Sequence, residues 1–240
     1  MSSEAFVFKQ FTIHQDKCPM KVGTDAVLLG SWTKAQGATR ILDVGTGTGI
    51  LAIMLAQKCN AEIDAIDIDL FAIEQAKKNV ELCKWHNRIA VIHETFQDFV
   101  KQKAVTVTYD LIVSNPPYFI DSYKSPEEGR SIARHNDFLP FQDLIDGVSK
   151  ILSPTGKFYV ILPTREAQLF KSMAEKYDLK LSELLRVKTK AENGVEKRHL
   201  MKFEFNPVKF EEKVISIEKE GRHNYHEDYI ELTKDYYIHF

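Results

Sequence analysis

The chain has 240 residues, 44% apolar and 28% charged, with 11 glycines and 8 prolines. That composition suits one globular domain of ordinary size and excludes intrinsic disorder, collagen and a disulfide scaffold. Lys and Arg total 32 against 34 Asp and Glu, a net charge of -2. The surface is therefore not coated in basic residues, although local patches stay open.

Cys18, Cys59 and Cys83 stand far apart, with no Cys-x-x-Cys pair and no Cys/His cluster at ligand spacing. Neither a disulfide framework nor a metal site is expected. The opening MSSEAFVFKQF lacks the basic and apolar regions of a signal peptide. The longest apolar run, Ile50 to Ala56, is far short of the ~20 residues of a membrane span. A cytoplasmic protein is expected, with no membrane association and no obligate protein partner.

Taken in chain order, residues 6–32 read as a strand or hairpin followed by a helix from Thr24 or Asp25. Residues 40–44 (RILDV) form a short apolar run ending in glycines, as a buried strand does. Residues 49–58 are apolar at helical spacing. Residues 62–67 (EIDAID) form a second strand. With Asp69 as its N-cap, a helix runs to about Cys83. Strands follow at 88–93 and 109–114, a helix at 141–152, a strand at 157–162 and a helix at 165–177. Two strand-like stretches, 179–188 and 198–206, come next. The tail holds Tyr225, Tyr229, Tyr236, Tyr237 and Phe240, a spacing suited to a helix packed on the sheet or to a base-stacking platform. Alternating strands and helices imply an α/β fold, a largely parallel sheet with helices on both faces. Ligands of such sheets sit beyond the carboxyl ends of the strands.

The first of those ends reads Asp43-Val44-Gly45-Thr46-Gly47-Thr48-Gly49. Alternate glycines allow a tight turn and close approach of backbone to ligand, and a helix N-terminus follows. The spacing differs from the G-x-G-x-x-G of dinucleotide enzymes. Asp43 brings a carboxylate to the turn. Asp67 ends the second strand, 18 residues after Gly49, where a ribose diol is held. The fourth strand runs into Asn115-Pro116-Pro117-Tyr118. Proline pushes Asn115 into an extended conformation, and two prolines fix φ and remove two donors. What remains is a rigid bend of acceptors, the Asn115 side-chain oxygen and the Pro116 carbonyl. A planar amino group with two N–H donors matches it, and Tyr118 adds a stacking face.

The glycine turn and Asp67 resemble the cofactor site of class I S-adenosylmethionine-dependent methyltransferases. The tetrapeptide resembles the catalytic motif of amino-group methyltransferases. Two further stretches, Lys21-Val22-Gly23-Thr24-Asp25-Ala26-Val27-Leu28-Leu29-Gly30-Ser31-Trp32 and Tyr109 through Phe119, are similar to one group along nearly the whole chain. That group is the bacterial tRNA1(Val) adenine-37 amino-methyltransferases. Ala133-Arg134-His135 matches as well.

The resemblance implies a Rossmann-like sheet of seven mostly parallel strands, the last antiparallel. Residues 1–32 would form a hairpin and cofactor-covering segment, and 33–240 the methyltransferase domain. It implies S-adenosylmethionine as cofactor and a tRNA substrate, the anticodon loop of a valine tRNA. Gly45, Thr46, Gly47 and Gly49 would cradle the methionine part, Asp67 would take the ribose and Ile68 would pack on the adenine. Phe96 and Asp98 would hold the adenine edge, although a helix cap suits Asp98 equally. Lys21, Thr24 and Asp25 would close over the cofactor. Asn115 through Tyr118 would grip the amino group, with Asn115 an acceptor and not a base.

For RNA, the loop 119–137 carries Lys124, Arg130, Arg134 and His135, the last also suited to capping. Residues 186–202 carry Arg186, Lys188, Lys190, Lys197, Arg198 and Lys202 against Glu192 and Glu196. Their connection is expected on the same edge as Asn115, within reach of phosphates flanking a target base. Competing readings are methylation of ribosomal RNA or of protein glutamine, a module that senses the cofactor without chemistry, and a nicotinamide oxidoreductase. The glycine spacing disfavours the last. The intact amino-group acceptor disfavours the sensor.

Overall fold

The computed structural model describes residues 5–17, 21–104, 107–117 and 139–239. Short runs rich in Ile, Val and Leu form its central strands, and most of these lead through a turn into a helix. β1 (Ala5–Val7) and β2 (Thr12–His14) make an antiparallel hairpin, and α1 (Thr24–Trp32) follows. The alternating part comprises β3 (Arg40–Val44), α2 (Ile50–Lys58), β4 (Glu62–Asp67), α3 (Leu70–Glu81), β5 (Ile89–His93), α4 (Phe96–Lys103) and β6 (Tyr109–Ser114). Then come α5 (Phe141–Ile151), β7 (Leu152–Pro163), α6 (Thr164–Ala174), β8 (Lys180–Lys190), β9 (Glu196–Glu204), β10 (Glu211–Glu218) and α7 (Glu227–Thr233).

The large sheet has the order β10-β8-β9-β7-β6-β3-β4-β5. All pairs are parallel except those of β9, which runs against both β7 and β8. The antiparallel strand is therefore where the resemblance implied it, but the sheet has an eighth strand. β10 escaped the sequence reading because EEKVISIE offers a single buried apolar side chain, Ile215, among Lys and Glu. An edge strand half covered with charge looks like loop until its neighbour is known.

Strand alternation feeds two cores. Ile41, Leu111 and Val113 face α1, α2 and the hairpin, whereas Leu42, Val44 and Ile112 face α4, α5 and α6. Each fully buried Leu or Ile contributes roughly 1.5–3 kcal/mol. Of the tail residues, Phe240 lies outside the described residues and the tyrosines pack into the fold. Tyr229 and Tyr236 are buried, and the Tyr236 hydroxyl donates to the Met54 carbonyl at 3.1 Å. Phe8 stacks on Phe11 at 4.7 Å between ring centroids, and Phe6 meets Tyr237 edge-on at 6.1 Å. The two ends of the chain thus share one aromatic cluster.

Candidate active site

Glycine at 45, 47 and 49 has a local cause. All three residues take the left-handed region, with φ of 74°, 56° and 83°, where a side chain is strained. The Gly45 and Thr46 amides both donate to the Ile66 carbonyl at 2.9 Å, stapling the turn to β4. A Cβ on Gly49 would press on Ala76 of α3 at 3.4 Å. A Cβ on Gly45 or Gly47 would meet nothing within 4 Å, so those two positions border open space.

Two carboxylates flank that space. Asp43 is fully buried, and its Oδ2 accepts from the Thr46 hydroxyl (2.6 Å) and the Ala52 amide (3.2 Å) in the first turn of α2. Its Oδ1 is buried without a partner. Burial pushes Asp43 up to about 7, and the nearby Asp67 carboxylate adds to the rise. Asp67 is also raised by burial, although its oxygens accept from the Gly47 amide (2.8 Å) and the Asp69 amide (2.9 Å). Neither carboxylate has a cation against it among the described residues. A carboxylate oxygen has a second lone pair, so Asp67 can still accept from a diol. Ile68 is 42% exposed beside it, followed by exposed Leu70 and Phe71.

Register places the Asn-Pro-Pro turn next to the glycine turn. Ser114 pairs with Val44, and its hydroxyl donates to the Val44 carbonyl at 2.9 Å in the buried sheet. Asn115 and Gly45 therefore leave adjacent strands at the same level. Asn115 is half-buried and Pro116 buried. Tyr118 lies outside the described residues, as do Lys124, Arg130, Arg134 and His135.

The N-terminal segment reaches the same edge. The Lys21 ammonium donates to the Gln15 carbonyl, and the Val22 amide donates to Gln15 Oε1 at 2.8 Å. Thr24 is exposed at the start of α1. Asp25 accepts from Arg198 Nε at 2.7 Å, tying α1 to the start of β9. The connection between β8 and β9 lies at this carboxyl edge because β8 runs with the parallel strands.

Two expectations change, at Phe96 and at residues 186–202, and at Asp98 one of two readings is favoured. Phe96 is a core residue: it is 5% exposed and packs so closely under Gly147 that a Cβ there would stand 2.3 Å from its ring. It has no open face for an adenine. Asp98 completes a helix cap. Thr95 accepts from the Asp98 amide at 3.1 Å and donates back to Oδ2 at 2.9 Å, while Lys101 takes Oδ1 at 2.8 Å and holds the carboxyl below its usual range. The basic excess at 186–202 is largely cancelled. Arg186 pairs with Glu212 and Glu196, Arg198 with Asp25, and Lys202 with Glu183 and Glu204. Lys188, Lys190 and Lys197 carry no ion pair among the described residues. No group of His, Cys, Asp and Glu suited to a metal occurs among those residues. None of their helices is long and apolar enough to cross a membrane.

Sequence reasoning missed Ser114, Asn79 and Gln75. The signal for the last two was present: polar residues at 75 and 79 fall on the buried face of α3 with Ala72, Ala76 and Val80.

The geometry is that of a methyltransferase, and the comparisons agree. A family model described as the methyltransferase small domain matches residues 20–178. A Bacteroides fragilis protein named tRNA1(Val) (adenine(37)-N6)-methyltransferase is 45% identical over 99% of both chains. Proteins of that name from Bacteroides thetaiotaomicron, 46% identical over 100% of this chain and 99% of the relative, and Trichodesmium erythraeum, 42% identical over 99% of both chains, are similar too. Among solved structures, a predicted O-methyltransferase from Agrobacterium tumefaciens superposes with a TM-score of 0.69 at 17% identity, covering 88% of this chain and 96% of that one. P. horikoshii TYW2 in complex with MeSAdo gives 0.56 at 16%, covering 83% and 69%. These two share the fold. The chain belongs to the methyltransferase small-domain family, in the branch whose curated members carry the tRNA1(Val) (adenine(37)-N6)-methyltransferase name.

Proposed function

We propose that this methyltransferase uses S-adenosylmethionine to methylate the exocyclic amino group of adenine 37, in the anticodon loop of a valine tRNA in the cytoplasm. The observation that carries the chemistry is the Ser114–Val44 bond and its register, which put an amino-group acceptor turn against a glycine cradle. The near full-length likeness to relatives of that name supports the substrate.

The residues present fit the cofactor. Open space at Gly45 and Gly47 leaves room for it, and Asp43 Oδ1 is a buried acceptor without a donor. Two raised carboxylates without cations favour a ligand bearing positive charge and disfavour a phosphate. Gly45, Thr46, Gly47 and Gly49 would hold the methionine part, Asp67 the ribose hydroxyls and Ile68 the adenine face. Lys21 and Thr24 would close over the cofactor, with Asp25 holding α1 to Arg198 beside them. When bound, S-adenosylmethionine supplies an activated methyl group.

The chain's own part is positioning and polarisation. An adenine amino nitrogen is a weak nucleophile because its lone pair is delocalised into the ring. Asn115 Oδ1 and the Pro116 carbonyl accept its two N–H groups and draw the nitrogen toward tetrahedral geometry, which localises that pair. Methyl transfer leaves the nitrogen positively charged, and this methylated ammonium is acidic enough to lose its proton to water, so Asn115 serves as an acceptor and no strong base is needed. An anticodon loop suits this site because its bases splay out at modest cost. Lys188, Lys190 and Lys197 supply phosphate contacts on the same edge.

The test is incubation with methyl-labelled S-adenosylmethionine and total tRNA from a strain lacking the enzyme, followed by mapping of the labelled nucleoside. N6-methyladenine at position 37 of a valine tRNA is expected. Label on ribosomal RNA or protein alone overturns the reading.

A further inference from the structure

Asn79 and Gln75 sit on the core-facing side of α3 and are fully buried, yet neither touches the open space at the glycine turn. Asn79 uses every part of its amide. Its Oδ1 accepts from the His14 amide at 2.8 Å, and its Nδ2 donates to the His14 carbonyl (2.9 Å) and to the Thr48 carbonyl (2.8 Å). One side chain therefore spans the end of β2 and the glycine turn. Four residues earlier, on the same face of the helix, Gln75 Oε1 accepts from the Lys17 amide at 2.9 Å.

Buried amides are a costly way to fill a core. An unsatisfied buried donor costs about 1–3 kcal/mol, and Gln75 Nε2 carries that cost because it is buried without a partner. Methionine at 75 would fill similar space without it. What the amides supply is direction: they fix where the chain leaves β2. Just beyond, Gln15 grips Val22 and Lys21, so the same segment meets the start of α1.

We propose that Asn79 and Gln75 are positioning residues: from α3 they lock the N-terminal segment to the glycine turn and so set cofactor affinity. The inference rests on the reading that the cofactor occupies the glycine turn. It assigns part of the binding strength to a helix face that never meets the cofactor.

The experiment compares Asn79→Leu and Gln75→Met with Phe170→Leu, a control in the opposite core, and with Asp67→Ala. Calorimetry gives Kd for S-adenosylmethionine, steady-state assays give KM and kcat, and thermal unfolding gives Tm. Asn79→Leu is expected to raise cofactor Kd and KM about 10-fold and Gln75→Met about 3-fold. In both, kcat at saturating cofactor stays within about twofold, the pattern of lost uniform binding. Phe170→Leu lowers Tm and leaves Kd unchanged. Wild-type Kd in both amide variants, or a rise no larger than in Phe170→Leu, overturns the inference. If Asn79→Leu does not fold, Gln75→Met decides. Unchanged Kd in Asp67→Ala refutes the cofactor reading itself. Weakened binding in Asp67→Ala with wild-type affinity in both amide variants refutes only the positioning role.

Discussion

The glycine turn and the strands β8 to β10 belong to one sheet, and both gather acidic side chains. At the glycine turn Asp43 and Asp67 are buried, raised in pKa and without cations among the described residues. In β8, β9 and β10 Glu196 and Glu212 meet Arg186, and Glu183 and Glu204 meet Lys202. Burying a carboxylate is unfavourable unless something compensates it. The β8–β10 side compensates within the chain and becomes scaffold. The glycine side offers only hydrogen bonds from the chain, which is where the proposed cofactor would act.

The largest break in this contrast comes from the residue beside the open space. Asn115→Ala should lower single-turnover methylation at least ~100-fold while calorimetric cofactor affinity stays near wild type. Retained turnover removes Asn115 from the chemistry.

Asp43 gives the next effect through pH. Its carboxyl is raised from the ordinary range near 4 to about 7 in the folded chain. Folding therefore takes up a proton in that window, and stability falls as pH rises through it. Comparing urea unfolding at pH 5 and pH 8, Asp43→Asn should lose about 2–3 kcal/mol less than wild type. Equal losses would show that Asp43 is not held protonated by burial.

Asp67→Ala should weaken calorimetric cofactor binding about 30-fold, some 2 kcal/mol, and unchanged affinity would refute the ribose role. The smallest effect belongs to the β8–β9 hairpin. Replacing Lys188, Lys190 and Lys197 with Ala should raise KM for tRNA about fivefold and flatten its salt dependence by roughly 2 in logarithmic slope. An unaltered slope would mean these lysines are solvated and touch no phosphate.

The strands from 40 to 114, the helices α2 and α3, the glycine turn and the Asn-Pro-Pro turn were legible in the sequence, whereas α4 was not read. Glycine and proline act on their own backbone, and Asp69 capped α3 as read, accepting from the Phe71 and Ala72 amides at 2.7 and 3.2 Å. Phe96 was not legible, and for Asp98 the sequence left a ligand contact and a helix cap equally open. Their position after β5 was right for a ligand contact, but Gly147 and Lys101 claimed them first. β10 was hidden because only its pairing with β8 makes a charged edge segment a strand.

By itself the sequence determined the α/β class, the glycine and Asn-Pro-Pro turns and the family. Those depend on local sterics, on hydrophobic period and on motifs read in order. The tertiary structure alone decided which charges are spent. Asp25 and Arg198 lie 173 residues apart and seemed assigned to a cofactor and to an RNA, yet sheet order brings them within 2.7 Å of each other. It also decided that two buried amides on α3 hold the N-terminal segment. Such pairings form across distant elements, where attraction acts through space and leaves no spacing along the chain.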